Sequence, residues 1–355
     1  MPLIFEKPRS DKWPARWERL SPRSVGEREE KNEPLKIALV NNMPDAALED
    51  TEVQFFDLIS AAAGEIPVLV SLYSLPQVPR GDRGREHIAE LYSGIERLWS
   101  DAVDCAIVTG TEPRHPDLRQ EPYWRVMTEL FEWAERNTFS AVLSCLAAHA
   151  AVLHADGVAR RPQAEKLFGI FEERRIHEHP LLAGVAGPLR FPHSRWNDIG
   201  EGDLVAAGYQ VLTSSAAAGV GLFVKRKQKS LFVHFQGHPE YARETLLKEY
   251  RRDVGRYLRH ERESYPELPR NYFGDAAERA LVGFRAASLA CRSLEMTREF
   301  PDFDNSEAVR DGWRAPASQL YGNWLRYVWS RKEESALASV IRPQGSHWPN
   351  AAASL

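Results

Sequence analysis

Along the first half of the chain, short apolar runs alternate with longer stretches whose apolar residues recur every three or four positions. Lys36-Ile37-Ala38-Leu39-Val40 predicts a buried strand ending in Asn41-Asn42-Met43-Pro44. Residues 49–63, with Val53, Phe56, Leu58 and Ile59, predict the helix that follows. Residues 67–75 form a second β-branched run, and residues 83–99 a second helical pattern. Val103-Asp104-Cys105-Ala106-Ile107-Val108-Thr109-Gly110 predicts a third strand entering a loop, before a helix over 123–136. Such alternation predicts βαβ units: an α/β fold whose mostly parallel sheet is flanked by helices. In such sheets the ligand site lies beyond the carboxyl ends of the strands, where Asn41, Thr109 and Gly110 fall.

Residues 140–153 repeat this pattern in compressed form. Ser140-Ala141-Val142-Leu143-Ser144 is an apolar run, an alanine-rich helical segment follows, and Cys145 stands at the junction. A sharp strand-to-helix turn presents the junction side chain at the sheet edge. There the helix's unpaired N–H groups and positive dipole end favour a thiolate or an oxyanion. A small buried core cysteine is the competing explanation. His149, about one helical turn further on, reads either as a second polar group at the site or, better, as a packing residue.

Further along, residues 167–175, 219–224 and 231–235 read as strands, the last two joined by the basic turn Lys225-Arg226-Lys227-Gln228-Lys229, expected to be a solvated hairpin tip. Residues 245–258, 275–296 and 319–331 read as added helices. This divides the chain into a polar leader (1–34), one domain (35–332) and a tail (333–355) expected to be flexible. The leader has no apolar signal-peptide core, and no window is apolar enough to span a membrane.

The whole chain has 355 residues and a net charge of -4, which predicts neither nucleic-acid wrapping nor attraction to an anionic membrane. Cys105, Cys145 and Cys291 are an odd, scattered set. They favour a reducing, cytoplasmic setting over a disulfide framework, and with no tight Cys/His cluster they predict no metal site.

A nucleophilic thiol needs a base, and the base needs an orienting group. Phe232-Val233-His234-Phe235-Gln236-Gly237-His238-Pro239-Glu240 supplies both: a strand ends near Gln236, and the Gly and Pro that follow fix a turn from which His238 and Glu240 project. Cys145, His238 and Glu240 therefore read as a catalytic triad. A solvent-exposed or capping histidine is the bland reading of His238 taken alone.

That pairing resembles class I glutamine-amidotransferase-like (flavodoxin-like) folds. The order of Asn41-Asn42-Met43-Pro44, Val108-Thr109-Gly110, Glu165-Lys166-Leu167-Phe168-Gly169, Pro192-His193-Ser194-Arg195, Gly237-His238-Pro239-Glu240-Tyr241, Arg252-Asp253-Val254, Asn271-Tyr272-Phe273 and Asn323-Trp324-Leu325 is similar to the homoserine O-succinyltransferase/O-acetyltransferase family of methionine biosynthesis, over about residues 35 to 330. The resemblance implies a homodimer using succinyl-CoA or acetyl-CoA as co-substrate, with no bound cofactor. It implies that Cys145 carries the acyl group, that His238 is proton acceptor with Glu240 holding it, and that Lys166, Ser194 and Arg252 bind substrate.

Two departures stand out. The family's lysine after Asn-x-Met-Pro is replaced by Asp45-Ala46-Ala47, and the family position tied to acyl choice is Arg114, with Glu112 nearby. An arginine suits a succinyl carboxylate and Glu112 opposes it, so the balance tips slightly to succinyl. The rivals are transfer to serine or another small hydroxy compound, glutamine hydrolysis, and a non-catalytic binding protein. Ser144-Cys145-Leu146-Ala147 lacks the elbow glycines expected for glutamine hydrolysis, and an intact triad argues against the binding protein.

Overall fold

The alternation of apolar positions sorts side chains onto the two faces of a sheet. Ile37, Leu39, Val70, Leu72, Ile107 and Val142 face one apolar layer, whereas Ala38, Val40, Ala106, Val108, Ala141 and Leu143 face the other. A computed structural model describes residues 3–6, 8–10, 13–20, 23–24, 33–303 and 308–341. The strands are β1 (Ile4–Phe5), β2 (Arg23–Ser24), β3 (Leu35–Val40), β4 (Val68–Tyr73), β5 (Cys105–Val108), β6 (Ser140–Ser144), β7 (Arg161–Arg175), β8 (Leu189–Asp198), β9 (Gln210–Ser215), β10 (Gly219–Lys227) and β11 (Ser230–Phe235). The α-helices are α1 (Asp45–Ala62), α2 (Asp82–Leu91), α3 (Ile95–Leu98), α4 (Trp124–Asn137), α5 (Leu146–Asp156), α6 (Glu201–Ala206), α7 (Thr245–Leu258), α8 (Asp275–Ala290) and α9 (Arg314–Ile341).

Among the described residues the strands run in the order β2-β1-β4-β3-β5-β6-β11-β10-β9-β7-β8. Pairing is parallel from β2 to β11 and antiparallel beyond it. This is the α/β architecture expected, a mostly parallel sheet flanked by helices with further helices at its C-terminal end. Helices α4 and α5 cover one face through Met127, Leu130, Phe131 and Val152. Helices α1 and α9 cover the other through Phe55, Phe56, Ile59, Trp324 and Leu325. The register sets Phe235 of β11 opposite Ser144 of β6, so the segments after these two strands emerge side by side.

Several expectations need correcting. The polar leader is not separate from the domain: Leu3, Ile4, Phe5 and Trp17 are buried, and β1 pairs with β4. Phe5 packs on Trp13, Trp17 and Phe56 at 5.8, 5.1 and 4.8 Å between ring centroids, so a few aromatic residues outweigh the polar composition. Likewise, α9 runs past residue 332 to Ile341; residues 342–355 lie outside the described residues. The helical pattern over 83–99 is two helices, because Tyr92 adopts an extended conformation and Ser93 bridges to Tyr73. The basic turn is not simply solvated: Lys225 binds Asp156 at 2.6 Å, with Lys227 at 3.9 Å from the same carboxylate. Strands β8 and β9 and helix α6 are additions to the sequence reading. Among the described residues, no helix is long and apolar enough to cross a membrane.

Gly169 is a structural pivot for the antiparallel half. Its φ is +139°, and a Cβ there would lie 2.3 Å from the Arg270 carbonyl oxygen, where Ile170 N–H also donates at 2.9 Å. Gly169→Ala should destabilise the fold by about 3 kcal/mol or more, from steric overlap and backbone strain together. Urea unfolding checks this, and a loss under about 1 kcal/mol would refute it.

Candidate active site

Cys145 caps the start of α5 with φ 51° and ψ −108°, a conformation disfavoured for a residue with a side chain. The backbone is held there from both sides: its N–H donates to the Phe235 carbonyl at 2.8 Å, and its own carbonyl accepts from His149 N–H at 3.2 Å. The thiol is partly exposed, at the carboxyl edge of the sheet, with the first-turn N–H groups of α5 beside it. This is a strand–turn–helix nucleophile elbow. Gly110 approaches so closely that a Cβ on it would lie 2.6 Å from Leu146 Cβ and 3.0 Å from Leu146 N. Asn42 N–H donates to Thr109 Oγ1 at 2.8 Å, tying the end of β3 to the end of β5.

The turn after β11 brings His238 and Glu240 to the same edge. His238 N–H donates to the Pro192 carbonyl at 2.8 Å, and Nδ1 lies 2.8 Å from Glu240 Oε1, which also accepts from Ser144 Oγ at 3.2 Å. With Nδ1 engaged by Glu240, Nε2 is the ring nitrogen left to face Cys145, whose charge acts on the imidazole. Burial works against the imidazolium, but the charges of Glu240 and Cys145 outweigh it and raise the pKa of His238 to about 10. The arrangement can hold a proton beside a thiolate and return it to a leaving group.

The three residues expected to bind substrate gather around α7. Ser194, opposite Phe168 in the β7–β8 ladder, donates to Glu249 Oε2. Lys166 Nζ lies 3.4 Å from Glu249 and 3.3 Å from Asp253, and 4.0 Å above the Phe168 ring. Arg252 donates through Nε and Nη2 to Asp253 Oδ1, both at 3.1 Å. Burial alone would raise the Asp253 carboxyl; Lys166 and Arg252 outweigh it and hold it below the usual range.

Sequence reasoning missed Glu249, which ties this group to the triad. Its Oε1 accepts from Tyr241 OH at 2.6 Å, and the Tyr241 ring stacks on His238 at 4.2 Å. The available signal was the i, i+4 pair Glu249 and Asp253 on a helix that also carries Arg252. Glu112 also stands beside α7, where its charge acts on Arg252, and Arg114 follows it on the loop after β5. Both are exposed; Glu112 lies 3.5 Å from Arg256, and Arg114 uses its backbone N–H to reach Glu121 at 2.6 Å. His149 is a core residue, 2.8 Å from Gln236 Oε1, and burial lowers its pKa to about 3.

A cysteine at a strand–helix elbow, at one sheet edge with an imidazole that a carboxylate orients, is the geometry that cysteine-nucleophile chemistry on an α/β sheet needs. The chain belongs to the homoserine O-succinyltransferase family, whose model matches residues 24–335. It is 45% identical over 291 residues to a homoserine O-succinyltransferase of Rhodopseudomonas palustris, covering 82% of this chain and 87% of that one. A homoserine O-succinyltransferase of Bradyrhizobium japonicum is 40% identical over 329 residues, covering 92% and 99%. Among solved structures, a glutamine amidotransferase from Thermotoga maritima overlaps 84% of this chain and 99% of its own with a TM-score of 0.43 and 11% identity, too loose a likeness to carry an argument.

Proposed function

We propose that the protein transfers the succinyl group of succinyl-CoA to the hydroxyl of homoserine, through a succinyl-Cys145 intermediate, in methionine biosynthesis. The observation that carries this is Cys145 at its strand–helix elbow, at one sheet edge with the bonded pair His238 and Glu240, in a chain of this family. Cys145 Sγ bonds to the thioester carbonyl carbon, and the carbonyl electron pair moves to oxygen, beside the N–H of Leu146 at the start of α5. Collapse breaks the bond to CoA, whose thiolate takes the proton from His238. With its sulfur acylated, Cys145 no longer contributes the charge that favours the imidazolium. His238 then serves as base for the homoserine hydroxyl, which attacks the acyl carbon and expels Cys145 as thiolate. The close energetic balance of thioester and thiol lets cysteine store the acyl group, and holding the alcohol close favours it over water.

In this reading Lys166, Ser194 and Arg252 bind the acceptor, Arg252 pairing with the homoserine carboxylate. The succinyl donor, rather than acetyl, follows the names of the relatives. The enzyme is cytoplasmic and homodimeric, with no bound cofactor or metal. The test is intact-protein mass spectrometry after mixing with succinyl-CoA or acetyl-CoA, followed by homoserine. One succinyl adduct that homoserine discharges is expected, and no adduct from either donor would overturn the proposal. Glu249→Gln should leave the rate of adduct formation within about threefold while raising the KM for homoserine about tenfold, since it removes one charge-assisted acceptor for Ser194 and Lys166. Stopped-time adduct assays beside steady-state kinetics separate the two, and an unchanged KM would contradict this role.

A further inference from the structure

The loop after β5 runs from Gly110, packed against Leu146 at the foot of α5, to Glu121. On its far side stands Arg160, the last residue before β7. Its Nη2 donates to the carbonyls of His115 and Pro116 at 3.3 and 3.2 Å, so neutral groups of the loop hold the guanidinium. Among the described residues Arg160 forms no ion pair with a carboxylate, and its buried Nε has no hydrogen-bond partner. Two further buried polar atoms, Tyr123 OH and Glu121 Oε2, are likewise without partners. The other Glu121 oxygen is engaged by the backbone N–H groups of Arg114 and His115, both at 2.6 Å, so that carboxylate shapes the loop.

The charge of Arg160 is felt at the active centre. Burial weakens the guanidinium's hold on its proton, and Tyr123, Cys145 and the carboxylates of Glu121 and Asp117 act against this through space. Its charge also reaches His149, on the first turn of α5. A half-buried cation within electrostatic reach of Cys145, held by neutral carbonyls and carrying a donor with no partner, is costly unless something anionic meets it. Arg114, one loop residue away from this wall, is exposed and brings only its backbone to Glu121.

We propose that Arg160 determines donor specificity: its guanidinium, anchored on the His115 and Pro116 carbonyls, receives the free carboxylate of the succinyl group when that group is attached to Cys145. This rests on the acyl-cysteine reading above. The planar fork suits a carboxylate, and an acetyl group offers it nothing. CoA also carries anionic phosphates, which the same cation would attract, and the test separates these sources of negative charge.

The experiment measures the rate of Cys145 acylation by succinyl-CoA and by acetyl-CoA in wild type, Arg160→Gln and Arg160→Lys, with thermal unfolding as the folding control. Arg160→Gln should slow acylation from succinyl-CoA about 10- to 100-fold, the range for a charge-assisted hydrogen bond, and leave acetyl-CoA within about threefold. Arg160→Lys, which keeps the charge but loses the fork, should fall between. An equal loss with both donors overturns the proposal and assigns the cation to the phosphates of CoA or to the fold. No loss with either also overturns it. If wild type forms no adduct at all, the acyl-cysteine reading itself fails, an outcome distinct from both.

Discussion

Cys145→Ala will abolish transfer from succinyl-CoA to homoserine, by at least about 10⁴-fold, and no acyl adduct will form on the protein. The magnitude follows from removing the nucleophile of a set that acts as a unit, where what survives is binding and oxyanion stabilisation alone. Folding should be nearly untouched, because alanine keeps the Cβ that already stands at φ 51° and loses only a partly exposed sulfur. The check is a steady-state assay with adduct mass spectrometry and urea unfolding of the same preparation. Activity above about 1% of wild type in a folded variant would rule out an acyl-cysteine route.

Glu240→Gln should lower the turnover number about 10³- to 10⁴-fold, because an amide no longer fixes the tautomer that aims Nε2 at the sulfur. It should also change the response of stability to pH. Burial opposes the charge on His238, and Glu240 is the foremost group raising its pKa, from 6.5 to about 10. A proton held more tightly by the folded state stabilises it fully below about pH 6.5, and that contribution is lost as pH rises towards 10. Wild type should therefore lose stability between pH 6.5 and 9.5, and Glu240→Gln should lose much less across the same interval. Urea midpoints at the two pH values decide it: equal slopes in both proteins would mean that the Glu240 charge does not hold the proton.

The meeting of Cys145, His238 and Glu240 at one sheet edge was legible because they stand at strand ends, and the strands concerned are short, buried runs with clear boundaries. The same holds for α7, whose limits match the sequence reading of 245–258. The antiparallel half was harder to read. In β8, Pro192 sits mid-strand and Arg190 and Trp196 turn outward, so no unbroken apolar run marks it. In β9, Gln210, Thr213, Ser214 and Ser215 read as polar, although Thr213 is fully buried and donates to Glu173 at 2.6 Å. Such buried polar pairs are invisible to hydrophobic patterning, because their partners come from distant strands. Glu249 and Arg160 escaped for a related reason: each is one charged residue among many until the fold shows which neighbours meet it.

The covering of the sheet by α9 has a consequence for how the chain is made. Ser140 of β6 receives the Trp324 indole N–H at 2.9 Å, from a residue synthesised 184 positions later. At about 5–20 residues per second, about 10–40 s pass between the two. Throughout that interval the nascent chain carries β6 without the helix that will close over it, beside an aromatic N-terminal patch already waiting on the same face. The enzyme's most exposed moment therefore comes before it has ever met a substrate, while it is still being translated.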